Sequence, residues 1–224
     1  MKSMAKKLMV VMALFMAMTS AMAQTKLTEG TVVYAISMTN DDLDPQVAAM
    51  MPKEMSLSFK GDLSKTDMKM GMGTMDYIFN AKTKITTMLM DMMGNKTAVK
   101  MTESDLEKQS GKEKKTTVKT LPDTKVICGY TCNKAEITVE GEKDKQIVFY
   151  TKDIVTKNAS AMKAGLKGID GFPMEYVISQ NGIGMKMSVK SVSKDKVDDN
   201  IFKIPAGYKE MTLDEMVKQM GGAH

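Results

Sequence analysis

Apolar residues recur at every second position through much of this chain, and a period of two is the signature of a strand with one buried face. From Thr28 to Met38, the residues Val32, Tyr34, Ile36 and Met38 share a face. Met55, Leu57 and Phe59 repeat the pattern, and Gly61-Asp62 predicts the turn after them. Met68, Met70 and Met72 alternate with Asp67, Lys69 and Gly71, and Met88, Met90 and Met92 alternate again within "KITTMLMDMM". With "MDYIF" between these runs and "KTAVKM" after Gly94-Asn95, the first half predicts an antiparallel meander of about five strands, each apolar on one side. In the second half, "KVICGYTCNKAEITVEG" and "QIVFYTKD" predict a paired hairpin with Gly141 at the turn. Pro173 to Gln180 and Met185 to Val192 flank Asn181-Gly182, the preferred two-residue hairpin turn.

Helical signals are few. Asp44 before Pro45 predicts a cap and first turn for "QVAAMM", which Pro52 ends. Residues 103–116 are charged and polar and read as a frayed helix and loop. "NASAMKAGLKG" predicts a short helix stopped by Gly168, and Thr212 with Glu215 forms the capping box of a C-terminal helix. The sum is a mainly β, α+β fold: a strongly curved antiparallel sheet or unclosed β-barrel with helices packed over its concave face.

The chain ends refine this picture. Lys2, Lys6 and Lys7, the apolar run Leu8 to Met18 and Ala21-Met22-Ala23 read as a cleaved signal peptide over residues 1–23, leaving a single β-rich domain over 24–224. The expected location is the periplasm, or further export. No later segment has the roughly 18 uninterrupted apolar residues of a permanent membrane span. Without the leader, 29 lysines face 27 acids, so the formal charge falls from +5 to +2. Every basic residue is lysine; the absence of arginine, the residue of bidentate base contacts, argues against nucleic acid as partner.

Candidate chemistry is sparse. The only histidine is His224, so a Ser-His-Asp or Cys-His site is not expected, nor is a zinc site of the usual kind. Asp41, Asp42 and Asp44 read as a cap and solvated loop; they lack the spacing of a calcium loop. "GMG" at Gly71 to Gly73 reads as an accident of composition. No cofactor and no enzymatic activity are expected. Cys128 and Cys132 lie in a C-x-x-x-C spacing, which is not the redox C-x-x-C. An oxidising compartment favours a disulfide, yet four residues of extended strand span about 13 Å against the 4.4–6.8 Å between Cα atoms that a bridge requires. A bridge and two separate thiols both remain open. A thiolate pair could also bind Cu(I), although a structural role fits better.

Methionine is the conspicuous residue: 27 in all, 13 of them between Met38 and Met101. Thioethers are soft ligands for Cu(I) and also flexible apolar side chains suited to core packing or to a cavity wall. With no histidine to support a copper site, the alternating pattern reads first as an amphipathic sheet face.

"KVICGYTCNKAEI", "VFYTKDI", "GLKGIDGFPMEYVI" and "FKIPAGYKEMT", in that order, resemble a family of secreted domains of unknown function from Gram-negative bacteria. The resemblance runs from about Gly30 to Met216 and is most specific at Gly171 to Tyr176. "GIDGFPMEY" is also distantly similar to the GLPGLI family. The resemblance implies an architecture similar to the LolA/LolB-like lipoprotein carriers, an unclosed barrel lidded by helices. Those carriers use a cavity arginine that this chain lacks, so their transfer mechanism does not carry over.

Three functions follow as expectations. The first is a non-enzymatic periplasmic binder of a hydrophobic ligand such as a lipid acyl chain or a lipoprotein, with Met55, Leu57, Phe59, Met68, Met70, Met72, Met88, Met90 and Met92 as its apolar wall. The second is a Met-rich Cu(I) binder. The third is a structural or interaction module of the envelope.

Overall fold

The computed structural model describes residues 26–39, 43–110, 115–141, 145–157, 166, 168–180 and 183–221. The expected leader, Asp41-Asp42, most of the helix in "NASAMKAGLKG", the Asn181-Gly182 turn and His224 lie outside these residues. The first six strands are β1 (Glu29–Met38), β2 (Glu54–Lys60), β3 (Leu63–Met70), β4 (Gly73–Asn80), β5 (Ile85–Met92) and β6 (Asn95–Met101). The next six are β7 (Thr116–Ile127), β8 (Tyr130–Val139), β9 (Gln146–Thr151), β10 (Phe172–Gln180), β11 (Ile183–Ser193) and β12 (Lys209–Thr212). All twelve join in one sheet, ordered β12-β6-β5-β4-β3-β2-β1-β11-β10-β9-β8-β7. The sheet is curved and does not close. Every pairing is antiparallel except that of β12 with β6. A sheet this wide must twist and coil, and irregularities at Val33/Tyr34, Leu121/Thr124 and Pro173/Glu175 bend it further.

Directly opposed residues share a face, so the register carries the inner face from strand to strand. Val32, Tyr34, Leu57 and Phe59 begin it, and Met187, Tyr176, Val148, Ala135 and Ile137 continue it into one large buried core. Tyr34 is fully buried, and its hydroxyl donates to the Pro173 carbonyl at 2.7 Å. Burial, with Tyr176 nearby, raises its pKa well above the ordinary tyrosine value. Pro173 stands at an irregularity of β10, where a missing N–H is tolerated.

Among the described residues three α-helices accompany the sheet: α1 (Pro45–Met50), α2 (Glu103–Ser110) and α3 (Leu213–Gly221). The caps expected from sequence are present. Asp44 accepts from the Gln46 amide at 2.7 Å, and Thr212 and Glu215 exchange bonds at the start of α3. Thr102 and Asp105 make a second reciprocal cap at α2. Leu106, Leu213 and Met216 pack on Val99, Met101 and Met211, so α2 and α3 cover the inner face at its β6–β12 end.

The outer face of β4–β6 is also covered. After β11 the chain crosses it through a 3₁₀ turn, Asp199–Phe202, laying Val197, Ile201, Phe202, Ile204 and Tyr208 over Ile78, Leu89 and Ala98. On the same outer face, Lys65 bonds Asp67 and lies 3.2 Å from Asp76. Strand β12 follows this strap and pairs parallel with β6.

Candidate functional site

Strand register assembles the methionines into rows. Met55 faces Met68, Met68 faces Met75, and Met75 faces Met90, giving four thioethers at one level of four neighbouring strands. One level along, Leu57, Thr66, Tyr77, Met88, Val99 and Met211 form a second row. Phe59, Ser64, Phe79, Thr86 and Met101 form a third. Directly opposed Cβ atoms in such rows stand about 4.5–5.5 Å apart.

Exposure divides this face. Met55, Leu57 and Phe59 are buried at 8%, 0% and 1%. Val99, Met101 and Met211 are buried at the other end, beneath α2 and α3. Between them Met68, Met75, Tyr77, Phe79, Met88 and Met90 are all half-buried. Met68 leans on the large core; Tyr77, Met88 and Met90 lean on the helix-covered one. The result is an apolar strip on β3–β5, neither sealed nor fully exposed. No inner-face residue of these three strands is charged, because Lys65, Asp67, Lys69, Asp76 and Asp91 fall on the alternate, outer face. The Tyr77 hydroxyl donates to Met75 Sδ at 3.1 Å, and burial raises its pKa.

The expected wall therefore separates into three groups. Met55, Leu57 and Phe59 belong to the packed core. Met68, Met88 and Met90 line the strip, with Met70 and Met92 half-buried at its end beside Gly73. Met72 does not share a strand face with Met68 and Met70: β3 ends at Met70, and Met72 is 56% exposed in the turn. That turn restarts the alternation, so Met75, Tyr77 and Phe79 join the strip although the sequence reading did not name them. Two glycines within three residues were the available signal. They are not an accident of composition. A Cβ on Gly73 would lie 2.0 Å from the Asp91 carbonyl oxygen, and one on Gly71 would lie 2.9 Å from that of Ala49. The Gly71 amide also donates to the Met50 carbonyl at 3.3 Å, docking the end of α1 on the turn.

Cys128 and Cys132 are free thiols, so the bridge that the sequence left open is not formed. Cys128 and Gly129, at φ 50° and 80°, make the two-residue turn between paired Ile127 and Tyr130. The chain is extended again from Tyr130, which carries Cys132 up the strand and away from the turn. Burial pushes the Cys132 thiol up to about 11 and raises that of Cys128, so neither is a ready thiolate at neutral pH. Among the described residues no group of three His, Cys, Asp or Glu side chains is placed to hold a metal ion. No described helix is long and apolar enough to cross a membrane.

These features define an unclosed antiparallel sheet with helices at one end and an uncharged, half-open strip on its inner face. The chain belongs to the family described as a domain of unknown function, DUF4412, which it matches over residues 43–208. Among solved structures it is similar to PNGF-II, at 17% identity and a TM-score of 0.51, over 85% of this chain and 32% of that one. It thus spans about a third of that protein, and at this identity the likeness is one of fold. Weaker similarity links it to LprF from Mycobacterium bovis, at 12% identity and a TM-score of 0.35, over 80% of this chain and 90% of that one. A β-barrel-like DUF1849 protein from Brucella abortus is 7% identical with a TM-score of 0.34, over 75% of this chain and 98% of that one. No curated protein matches the chain.

Proposed function

We propose that this protein is a non-enzymatic carrier or receptor of the bacterial periplasm that holds the hydrocarbon part of a lipid or lipoprotein on its inner face. One observation carries the reading: the half-buried strip of Met68, Met75, Tyr77, Phe79, Met88 and Met90 has no charged neighbour on its own face among the described strand residues. A soluble chain that only needed a core would bury these side chains or replace them with polar ones. Thioethers also adapt to varied apolar shapes. Each methylene laid against the strip contributes about 0.8 kcal/mol, so roughly ten of them offset the several kcal/mol lost on association. The leader read over residues 1–23 supports the compartment, and a fold with helices at one end of an unclosed sheet fits the LolA/LolB-like resemblance.

The test is native mass spectrometry and solvent extraction of the mature protein, followed by titration with a fluorescent fatty-acid probe. Bound lipid and saturable binding are expected. Met75→Glu or Met90→Glu lowers probe affinity at least tenfold, whereas Met72→Glu, in the exposed turn, leaves it unchanged. A protein that carries no lipid and binds no probe refutes the reading.

A second reading is favoured by the row itself: Met68, Met75 and Met90 are consecutive cross-strand neighbours, and three thioethers make a soft Cu(I) donor set. Titration of Cu(I) against a chromophoric competitor decides it. Met75→Leu with Met90→Leu abolishes binding if the thioethers are ligands; unchanged affinity removes this reading. Because Met and Leu are close in volume, each exchange costs less than about 1.5 kcal/mol of stability.

A further inference from the structure

The third row holds two residues that an apolar face does not explain. Ser64 is 0% exposed and Thr86 is 5% exposed, and neither hydroxyl has a hydrogen-bond partner among the described residues. Both lie on the inner face, on either side of Phe79, with Ser64 opposed to Phe79 and Phe79 opposed to Thr86. An unpartnered buried hydroxyl loses its hydration without recompense, and Ala or Val would fill either position without that cost. Such groups have an explanation when something that binds there completes them. They also mark one end of the strip. At its other end Met70 and Met92 flank Gly73, next to turns that expose Met72 and Met93.

We infer that Ser64 and Thr86 form a polar subsite at the buried end of the strip, which takes the uncharged, hydrogen-bonding head of an amphiphile while its hydrocarbon tail runs toward Met70 and Met92. The inference rests on the proposed function and narrows its ligand class. The head is uncharged because no cation among the described strand residues shares the face: Lys65, beside Ser64 in sequence, points outward to Asp67 and Asp76. A carboxylate placed there would lose its hydration with only neutral donors in exchange. Alcohol and ester oxygens lose less and match hydroxyls that both donate and accept. The two hydroxyls stand on strands two apart, about 9.6 Å at the backbone, so a head with several oxygens spans them better than a single group.

The test compares three probes of equal chain length on the mature protein: a long-chain monoacylglycerol, the matching fatty-acid anion and the matching alkane. The monoacylglycerol is expected to bind tightest. Ser64→Ala with Thr86→Val weakens it about thirtyfold, two hydrogen bonds at roughly 1 kcal/mol each, and leaves alkane affinity unchanged. Thr86→Ser, which keeps the hydroxyl, keeps the affinity. Denaturant unfolding of the ligand-free double variant, expected to be at least as stable as the wild type, separates lost binding from lost folding. Monoacylglycerol affinity that ignores the double variant, or an equal loss for the alkane, overturns the subsite and leaves the apolar strip standing. Binding of none of the three probes refutes the subsite and the proposed function together.

Discussion

Gly73 shows how much one missing carbon decides. Its Cα lies so close to β5 that a methyl group would meet the Asp91 carbonyl oxygen at 2.0 Å. Gly73→Ala is therefore expected to cost about 2 kcal/mol or more in denaturant unfolding, the cost of forcing an extra carbon into a packed site. Gly171 is constrained in the same way, with a Cβ meeting Tyr150 Cδ2 at 2.6 Å and the Thr151 oxygen at 2.7 Å, which accounts for a glycine at the head of "GFPMEY". Glu175, in the same segment, carries a pH dependence. Burial alone would raise its pKa, but bonds and charge from Lys125, with Lys186 and Ser188, outweigh burial and hold it below the ordinary glutamate value. A depressed folded value means that its contribution is complete above the ordinary value and is lost as pH falls through the folded one. Asp76 has the opposite sign, because burial raises its pKa and favours the protonated folded form. Comparing each variant with the wild type isolates one group: Glu175→Gln is expected to lose less stability than the wild type between pH 7 and pH 3. Parallel acid curves for the two proteins would refute that role.

At the scale of elements, alternation and caps were legible where each was local. The Asp44-Pro45 start of α1 and the Thr212–Glu215 start of α3 need only neighbours in sequence, and both are present. The strap between β11 and β12 was not legible. "DDNIFKIPAGY" alternates Phe202, Ile204, Ala206 and Tyr208 with Lys203, Pro205 and Gly207, as a strand would, yet it forms no strand and covers the outer face of β4–β6 with Phe202 at its centre. Phe202→Ala is expected to destabilise the protein by about 3 kcal/mol, the usual cost of emptying a buried aromatic site. A loss under about 0.5 kcal/mol, typical of surface changes, would show that the strap does not stabilise the sheet. The same strap explains why Ile78 and Leu89, outward-facing by register, are apolar and buried.

At the scale of the molecule, the sheet begins and ends on strands that manage their edges differently. β7 carries Pro122 and an irregular register, both poor templates for pairing. The other edge is the four-residue β12, which pairs β6, whose inner face α3 covers. Removing residues 209–221 uncovers Val99 and Met101 and frees the β6 edge. Raised dye binding and self-association relative to the full chain are expected in fluorescence and size-exclusion measurements; an unchanged profile would show that β12 and α3 do not guard this edge. The sequence by itself determined the mainly β class, most of the strands and caps, and the lack of charge on the methionine face. Each of these is a local periodicity or a composition, readable without knowing what packs where. Only the tertiary structure decided that Met55, Leu57 and Phe59 are core, that Met72 is turn, that Met75 completes a row of thioethers and that Cys128 and Cys132 stay apart. Whether a face is sealed or open depends on segments far away in sequence, such as α2, α3 and the strap, and no local pattern records which face they will cover.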